Sequence, residues 1–295
     1  MTSRAVFRAM LGFYMVLFFG FLFGPLVVMG ATAFNTPNYP QAWPFEGFTL
    51  HWFADLADDR DLMDGIWNSL VIGLGVVALA VPVGLAGAIV MTQIYWRARG
   101  LYYLVVVSPV LTPGIILGIS TVIFWKDVTT ATGVKALYDG FFMTILGQST
   151  FISAYCMLIF LSRLQRFDRA QEEAALDLGA TQSQVFWHVL IPFLRPAVLS
   201  AALLAFLASF ENYNTTTFAI LSDTTLTTVL AGRVRQGTTP AISALAVIII
   251  LVTLAGAIAY EVLRRREARR EAAAAAARQA EENLEGGGRV AAATA

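Results

Sequence analysis

The chain has 295 residues, 57% of them hydrophobic and 14% charged, with a mean hydropathy of +0.67; this excludes an ordinary soluble globule. Its 20 basic and 20 acidic residues cancel to a formal charge of zero, which removes the electrostatic case for nucleic-acid binding. The single cysteine, Cys156, excludes an internal disulfide and reads as a small packing residue within its apolar run.

Arg4 and Arg8 precede an apolar run over 9–33, long enough to cross a hydrocarbon core of about 30 Å. Ala31-Thr32-Ala33 has the form of a signal cleavage site. The run is longer than a signal core of about 7 to 15 residues, so the segment reads as a retained anchor. The chain then turns polar to residue 65, with Asp55, Asp58, Asp59, Asp61 and Asp64 beside Trp43, Phe45, Phe48, Trp52 and Phe53. Such aromatic residues fit a segment lying along a membrane surface, and His51 there reads as an interfacial histidine. A second span covers 66–94, where Gly73, Gly75, Pro82, Gly84 and Gly87 allow close packing and bending. A third covers 101–125 and carries Pro109, Pro113, Gly114 and Gly118, so a kink or an unwound turn is predicted near 112–114. That break is either a packing kink or a place where freed backbone groups line a water-filled path.

A polar connector is predicted over 126–140 and a fourth span over 141–162. A polar island over 163–192 follows, then a fifth span over 193–217 and a polar stretch over 222–240 with a short helix at 226–236. The sixth span covers 241–263. The tail, 264–295, begins with an arginine cluster, continues through six alanines from Ala272 and reaches Gly286-Gly287-Gly288; it reads as a solvated helical extension fading into disorder. The expected fold is therefore all-α and polytopic, with six transmembrane helices. Six spans put both termini on one side. Fifteen of the twenty Lys and Arg residues fall on that side, so both termini and the island are expected in the cytoplasm.

Within the island, Asp168 and Gln171 form a capping-box-like start, and Glu172 and Glu173 sit in the first turn, where the helix dipole favours carboxylates. Gly179 is placed to end that helix; Thr181 and Gln184 repeat the capping pattern for a second helix, closed by Pro192. Ala174 and Ala175 leave a surface that another protein can approach closely, and Glu173 offers a charge to an Arg or Lys of that partner. The histidines, His51 and His188, are far apart, His188 reads as a packing residue, and no His/Cys/carboxylate cluster points to a metal. Lys126 and Lys135 stand in no phosphate-binding loop, so catalysis within this chain is not expected.

Glu211 stands out inside the fifth span. Counted from Pro196 at about 1.5 Å per residue it lies roughly 22 Å into the bilayer, where an ionisable group is costly and by default functional. With Asn212, Tyr213, Asn214 and Thr215 around it, the carboxylate can hold an ammonium group by charge-assisted hydrogen bonds. The alternative is a hydrated acid at the outer interface, or one paired with Arg233 or Arg235. Tyr213 offers either a face for a cation or an interface anchor. Arg195 belongs at the headgroups or the inner mouth.

Glu173-Ala174-Ala175, three residues, Gly179, nine residues and Val189-Leu190-Ile191-Pro192 resemble the EAA loop of ABC importer permeases. Asn68-Ser69-Leu70, Arg99-Gly100, Ser108-Pro109, Asp177-Leu178-Gly179-Ala180 and Ser209-Phe210-Glu211-Asn212 look like the spermidine/putrescine branch, in its PotC-like subunit. The resemblance implies the type I importer permease fold and a cytoplasmic coupling loop acting through Glu173, Ala174, Ala175, Asp177, Gly179 and Pro192. It implies a substrate pathway near Glu211, Asn212, Tyr213, Asn214, Pro113 and Gly114. Its implied partners are an ATPase dimer that binds ATP and Mg, a second homologous permease (PotB-like) and a periplasmic binding protein, with the 34–65 segment either a packed loop or part of the contact with the last. The expected location is the bacterial inner membrane. The chain departs from that branch at Gly114 and Asn212, where polyamine members often carry acids, which leaves related amines and amino acids open beside polyamines. A stand-alone secondary transporter or channel is the competing class; it would want coupling-ion ligands, and the spans offer little besides Glu211.

Overall fold

Hydrocarbon offers backbone groups no partners, so an apolar run that crosses it must satisfy them within itself, and the long runs here do so as helices. A computed structural model describes residues 3–237, 239–256, 258 and 262. Among these, the helices long and apolar enough to cross a membrane are Val6–Phe34, Arg60–Gln93, Gly114–Thr132, Gly140–Leu164 and Gln182–Phe210, and a shorter apolar helix covers Pro240–Gly256. The end of the predicted sixth span, apart from residues 258 and 262, and the 264–295 tail lie outside the described residues.

The chain divides into two units. The first holds α1 (Ser3–Phe34) and most of α2 (His51–Asp58). Between them, Asn35 is almost wholly buried and acts as a hub. Its Nδ2 donates to the carbonyls of Gln41 and Pro44, its Oδ1 accepts from the amides of Thr36 and Glu46, and its carbonyl accepts from Trp52 Nε1 at 2.7 Å. Phe34 stacks on Phe48 and packs against Phe53, so the predicted surface segment is a folded loop. His51 sits 3.4 Å from Asp55 on the same helix.

The second unit, Ala57–Gly237, contains the packed core. It runs through α3 (Arg60–Gln93), α4 (Trp96–Leu111), α5 (Gly114–Thr132) and α6 (Gly140–Leu164). Then come α7 (Ala170–Asp177), α8 (Gln182–Val185), a π-helical turn (Phe186–Leu190), α9 (Ile191–Phe210), α10 (Thr216–Ala219) and α11 (Leu226–Gln236). Ile72, Val76, Ala80 and Ala88 of α3 pack with Ile152, Cys156, Met157 and Phe160 of α6 and with Ala197, Ala201 and Ala205 of α9. Small residues on all three helices let them approach closely, as packing in lipid requires. Cys156 is fully buried among them.

The unwound turn predicted near 112–114 is present and divides the third span into two helices, because Thr112 and Pro113 take extended backbone (ψ 132° and 130°). The Pro113 ring disfavours the helical conformation at Thr112 and removes an amide donor. Thr112 Oγ1 donates back to the Ser108 carbonyl at 3.0 Å, satisfying an acceptor that the break frees. Next, residues 126–132 are not a connector. α5 continues to Thr132 and stops at Gly133 (φ 73°), while Thr130 and Thr132 fold their hydroxyls onto the carbonyls four residues back.

Pro192, finally, does not close the second island helix: the run Gln182–Phe210 is continuous. Proline lacks the amide that would bond four residues back and its ring crowds that carbonyl. The π-turn before it absorbs the conflict, since Ile191 N–H bonds to the Phe186 carbonyl five residues back. The fifth span also ends at Phe210 rather than at 217, with Glu211 as its C-cap.

Candidate functional site

At the polar island α7 begins at Ala170, two residues after Asp168 of the predicted capping box. Asp168 Oδ1 instead accepts from the Ala170 amide at 3.0 Å, in an Asx turn. Glu172 and Glu173 occupy the first turn. The helix ends in a Schellman motif: the amide of Ala180 bonds to the Ala175 carbonyl and that of Gly179 to the Leu176 carbonyl, with Gly179 left-handed at φ 88°. Thr181 and Gln184 then form a full capping box that starts α8.

Glu173, Ala174, Asp177 and Leu178 are exposed, Ala175 and Pro192 half-buried. Leu178 is 89% accessible, an unusual exposure for a leucine at a helix end. The corner between α7 and α8 encloses a groove of about 490 Å³ whose walls include Ala175, Leu178, Gly179, Val185 and His188. The exposed His188 ring lies 3.1 Å from the Gln184 carbonyl. Arg169 ties the start of α7 to the core, and Arg163 ties the end of α6 to α9. Arg169 donates to the Thr92 carbonyl at the end of α3 at 3.3 Å. Arg163 donates to the Phe193 carbonyl at 3.3 Å and lies over the Phe193 ring.

The other end of the continuous helix carries the acid. Glu211 is exposed and caps the C-terminus of α9, where the helix dipole disfavours a carboxylate. Neither suspected arginine pairs with it: Arg233 bonds Asp59, and Arg235 donates to the Tyr213 hydroxyl at 2.8 Å. Among the described residues Glu211 has no ion-pair partner. Asn212 does a different job from Glu211. Its Oδ1 accepts from the amides of Thr215 and Thr216 and its carbonyl from Thr216 and Thr227 hydroxyls, so it caps α10. Asn214 is exposed beside Gly114: a Cβ at Gly114 would stand 3.0 Å from Asn214 Cβ and 3.1 Å from Thr215 Oγ1. Gly114 and the break at Pro113 thus face the 211–215 segment, and the structure gathers the predicted pathway residues around one gap between α9 and α10.

Sequence reasoning passed over Gln148 and Thr216, and gave Ser209 no role beyond the family resemblance. Gln148 is 1% exposed on α6; its Nε2 donates to Thr216 Oγ1 at 2.7 Å and its Oε1 accepts from the Ser209 hydroxyl. The available signal was a glutamine within the apolar 141–162 run, where a polar group must find partners.

α11 is fixed over the amino end of α3. The Ser69 hydroxyl accepts from the Leu226 amide at 2.9 Å, Asn68 donates to the Thr224 carbonyl at 2.8 Å, and Arg233 donates to Asp59 at 2.7 Å. The Arg233 hydrogen bond holds the Asp59 carboxyl below its ordinary value, against the opposing effect of burial. A depressed carboxylate stabilises above its unfolded pKa and loses that contribution as pH falls through its lowered one. Asp59→Asn is therefore expected to speed amide exchange across Leu226–Gln236 at neutral pH. The native chain is expected to approach the variant only in acid, below the ordinary carboxylate value of 3.8.

Residues 80–269 match the family described as binding-protein-dependent transport system inner membrane component. The chain belongs to that family. It is a multi-pass permease of the ABC importer type, a transport component rather than an enzyme. This permease is 32% identical over 251 residues to the putrescine transport system permease protein PotI of Escherichia coli (strain K12), covering 83% of this chain and 88% of that one. It is 28% identical over 247 residues to the spermidine/putrescine transport system permease protein PotC of Haemophilus influenzae, covering 82% and 91%. Among solved structures, a chain of a bacterial ABC transporter that imports the acidic polysaccharide alginate superimposes with a TM-score of 0.62 at 16% identity, covering 90% of the permease and 98% of that chain. A bacterial alginate ABC transporter in complex with an alginate pentasaccharide-bound periplasmic protein gives 0.63 at 19%, covering 84% and 89%. These likenesses place the permease in the importer permease fold.

Proposed function

We propose that this permease forms half of the translocation pathway of an ATP-driven importer for a small amine of the putrescine or spermidine type. The observation that carries the reading is the continuous helical run Gln182–Phe210. It has the α7–α8 corner at one end and the Glu211 carboxylate at the other. At 1.5 Å per residue a helix of that length reaches about 43 Å, so a displacement of the corner is delivered as a rigid movement to the acid-bearing gap.

ATP and Mg bind to an ATPase dimer in trans, which grips the surface offered by Glu173, Ala174, Ala175, Asp177 and Leu178. Closure of that dimer moves α7, and Gly179 and the capped start of α8 pass the movement to α9, with Pro192 held in the run. A second homologous permease (PotB-like) completes the pathway and a periplasmic binding protein delivers the amine. Both termini face the cytoplasm. In the pathway Glu211 receives the ammonium group, with Asn214 and Tyr213 at its sides, while Pro113 and Gly114 keep the facing wall open. The names of the relatives support a polyamine, and a carboxylate at a helix C-terminus is poised for a cation rather than an anion.

The test uses the complete importer in proteoliposomes with saturating loaded binding protein. A hydrogen bond to a charged group contributes about 1.5–3 kcal/mol, so Glu211→Gln is expected to lower putrescine moved per ATP hydrolysed by roughly tenfold or more. An unchanged ratio removes Glu211 from the pathway. Recovery of the chain from membranes without an ATPase would instead favour a stand-alone transporter.

A further inference from the structure

We propose that Gln148 is a positioning residue for transport: its buried amide clasps both lips of the gap between α9 and α10 and so fixes where Glu211 stands. The inference rests on the reading of Glu211 as the amine contact.

Ser209 lies in the last turn of α9 and Thr216 is the first residue of α10. The Ser209 hydroxyl donates to Gln148 Oε1, Gln148 Nε2 donates to Thr216 Oγ1 at 2.7 Å, and the Thr216 hydroxyl donates to the Asn212 carbonyl at 2.7 Å. The chain of bonds has one direction. With the amide reversed, the Thr216 proton would be claimed by Oε1 and the Asn212 carbonyl would lose it. Gln148, Ser209 and Thr216 are 1%, 5% and 0% exposed, so each bond is made away from solvent, where networks are strengthened and a missing partner is costly.

Glycines bring the gap close enough for this clasp. A Cβ at Gly147, beside Gln148, would stand 3.3 Å from Thr215 Cγ2, and one at Gly118 would stand 2.6 Å from the Thr215 carbonyl oxygen. Glu211 sits between the two clasped residues and has no ion-pair partner among the described residues. Its backbone is bonded only toward α9, through Glu211 N–H to the Leu207 and Ser209 carbonyls. The far side of the gap is held through Thr216, which is bonded locally to Asn212 and is tied to α6 by Gln148. An apolar residue at position 148 would fill the same space without setting that register.

The experiment measures putrescine moved per ATP hydrolysed by the complete importer in proteoliposomes. Gln148→Leu and Thr216→Val are each expected to lower the ratio about tenfold, and Thr216→Ser, which keeps the hydroxyl, is expected to retain it. In a Glu211→Gln background, Gln148→Leu should cost less than a further twofold, because the group it positions is already gone. Full multiplicative loss in that background, an unchanged ratio in Gln148→Leu, or equal damage from Thr216→Ser and Thr216→Val would each overturn the proposal. Should Gln148→Leu fail to insert, the Thr216 pair decides. If Glu211→Gln alone leaves the ratio unchanged, the Glu211 reading falls and this inference with it. If Glu211→Gln lowers the ratio and the Gln148 and Thr216 variants do not, this inference alone falls.

Discussion

Gly179→Val is expected to abolish ATP-driven uptake while the chain still inserts and assembles. The reason is backbone conformation alone. A Cβ at position 179 meets nothing within 4 Å, yet φ is 88°. An L-residue in the left-handed region costs roughly 1–2 kcal/mol, and a β-branched one is a genuine outlier there. Valine will therefore abandon the left-handed turn, and the Schellman bonds of Ala180 to Ala175 and Gly179 to Leu176 go with it. α7 then leaves α8 at a different angle, and movement of the ATPase no longer reaches α9. Gly179→Asn is the informative companion, since asparagine tolerates the left-handed region; it should retain most uptake. Membrane insertion, ATP hydrolysis and uptake are measured side by side. Uptake by Gly179→Val at the native rate would show that the corner angle does not carry the coupling.

That corner was legible in the sequence because its signals are local. Carboxylates in a first turn, a glycine at C′ and a Thr-x-x-Gln start each act within a few residues, and α7, Gly179 and the Thr181 capping box stand where those signals point. Pro192 misled for the same reason. Proline is a local stop signal, but a π-turn over Phe186–Leu190 lets the helix pass through it, and nothing in a short window announces that register shift. The overrun of α5 past Lys126 has a similar cause: polar residues imply departure from lipid, not the end of a helix, and here the stop comes only at Gly133.

The gap at 211–215 was half legible. An acid within an apolar run marks itself, whereas the clasp by Gln148 depends on partners 61 and 68 residues away along the chain. Contacts at such separations leave no periodic trace. The arginines show the point again: Arg233 and Arg235 were both candidates to neutralise Glu211, and the fold commits them to Asp59 and Tyr213. Glu211 is thereby left without either arginine as a partner.

Gly84→Leu is expected to prevent the second unit from packing at all, with loss of the chain from the membrane fraction. Gly84 lies where α3 crosses α6, and a Cβ there would stand 2.5 Å from Cys156 Cβ, 2.7 Å from the Ser153 carbonyl oxygen and 2.8 Å from the Met157 amide nitrogen. Overpacking commonly costs about 1–3 kcal/mol when side chains can shift, but two of these three neighbours are backbone of α6. The helices must separate, and Ile72, Val76 and Ala80 lose their contacts with Ile152, Cys156 and Phe160. The backbone identity of the neighbours predicts the genetics as well. Cys156→Gly removes the nearest atom and leaves Ser153 and Met157 in place, so it should fail to rescue even Gly84→Ala. Gly100→Ala, where a Cβ meets nothing within 4 Å, serves as the control and should leave thermal stability in detergent at or slightly above the native value, since alanine is the better helix former. Rescue of Gly84→Ala by Cys156→Gly would mean that side-chain volume, rather than the approach of two backbones, sets the distance between α3 and α6.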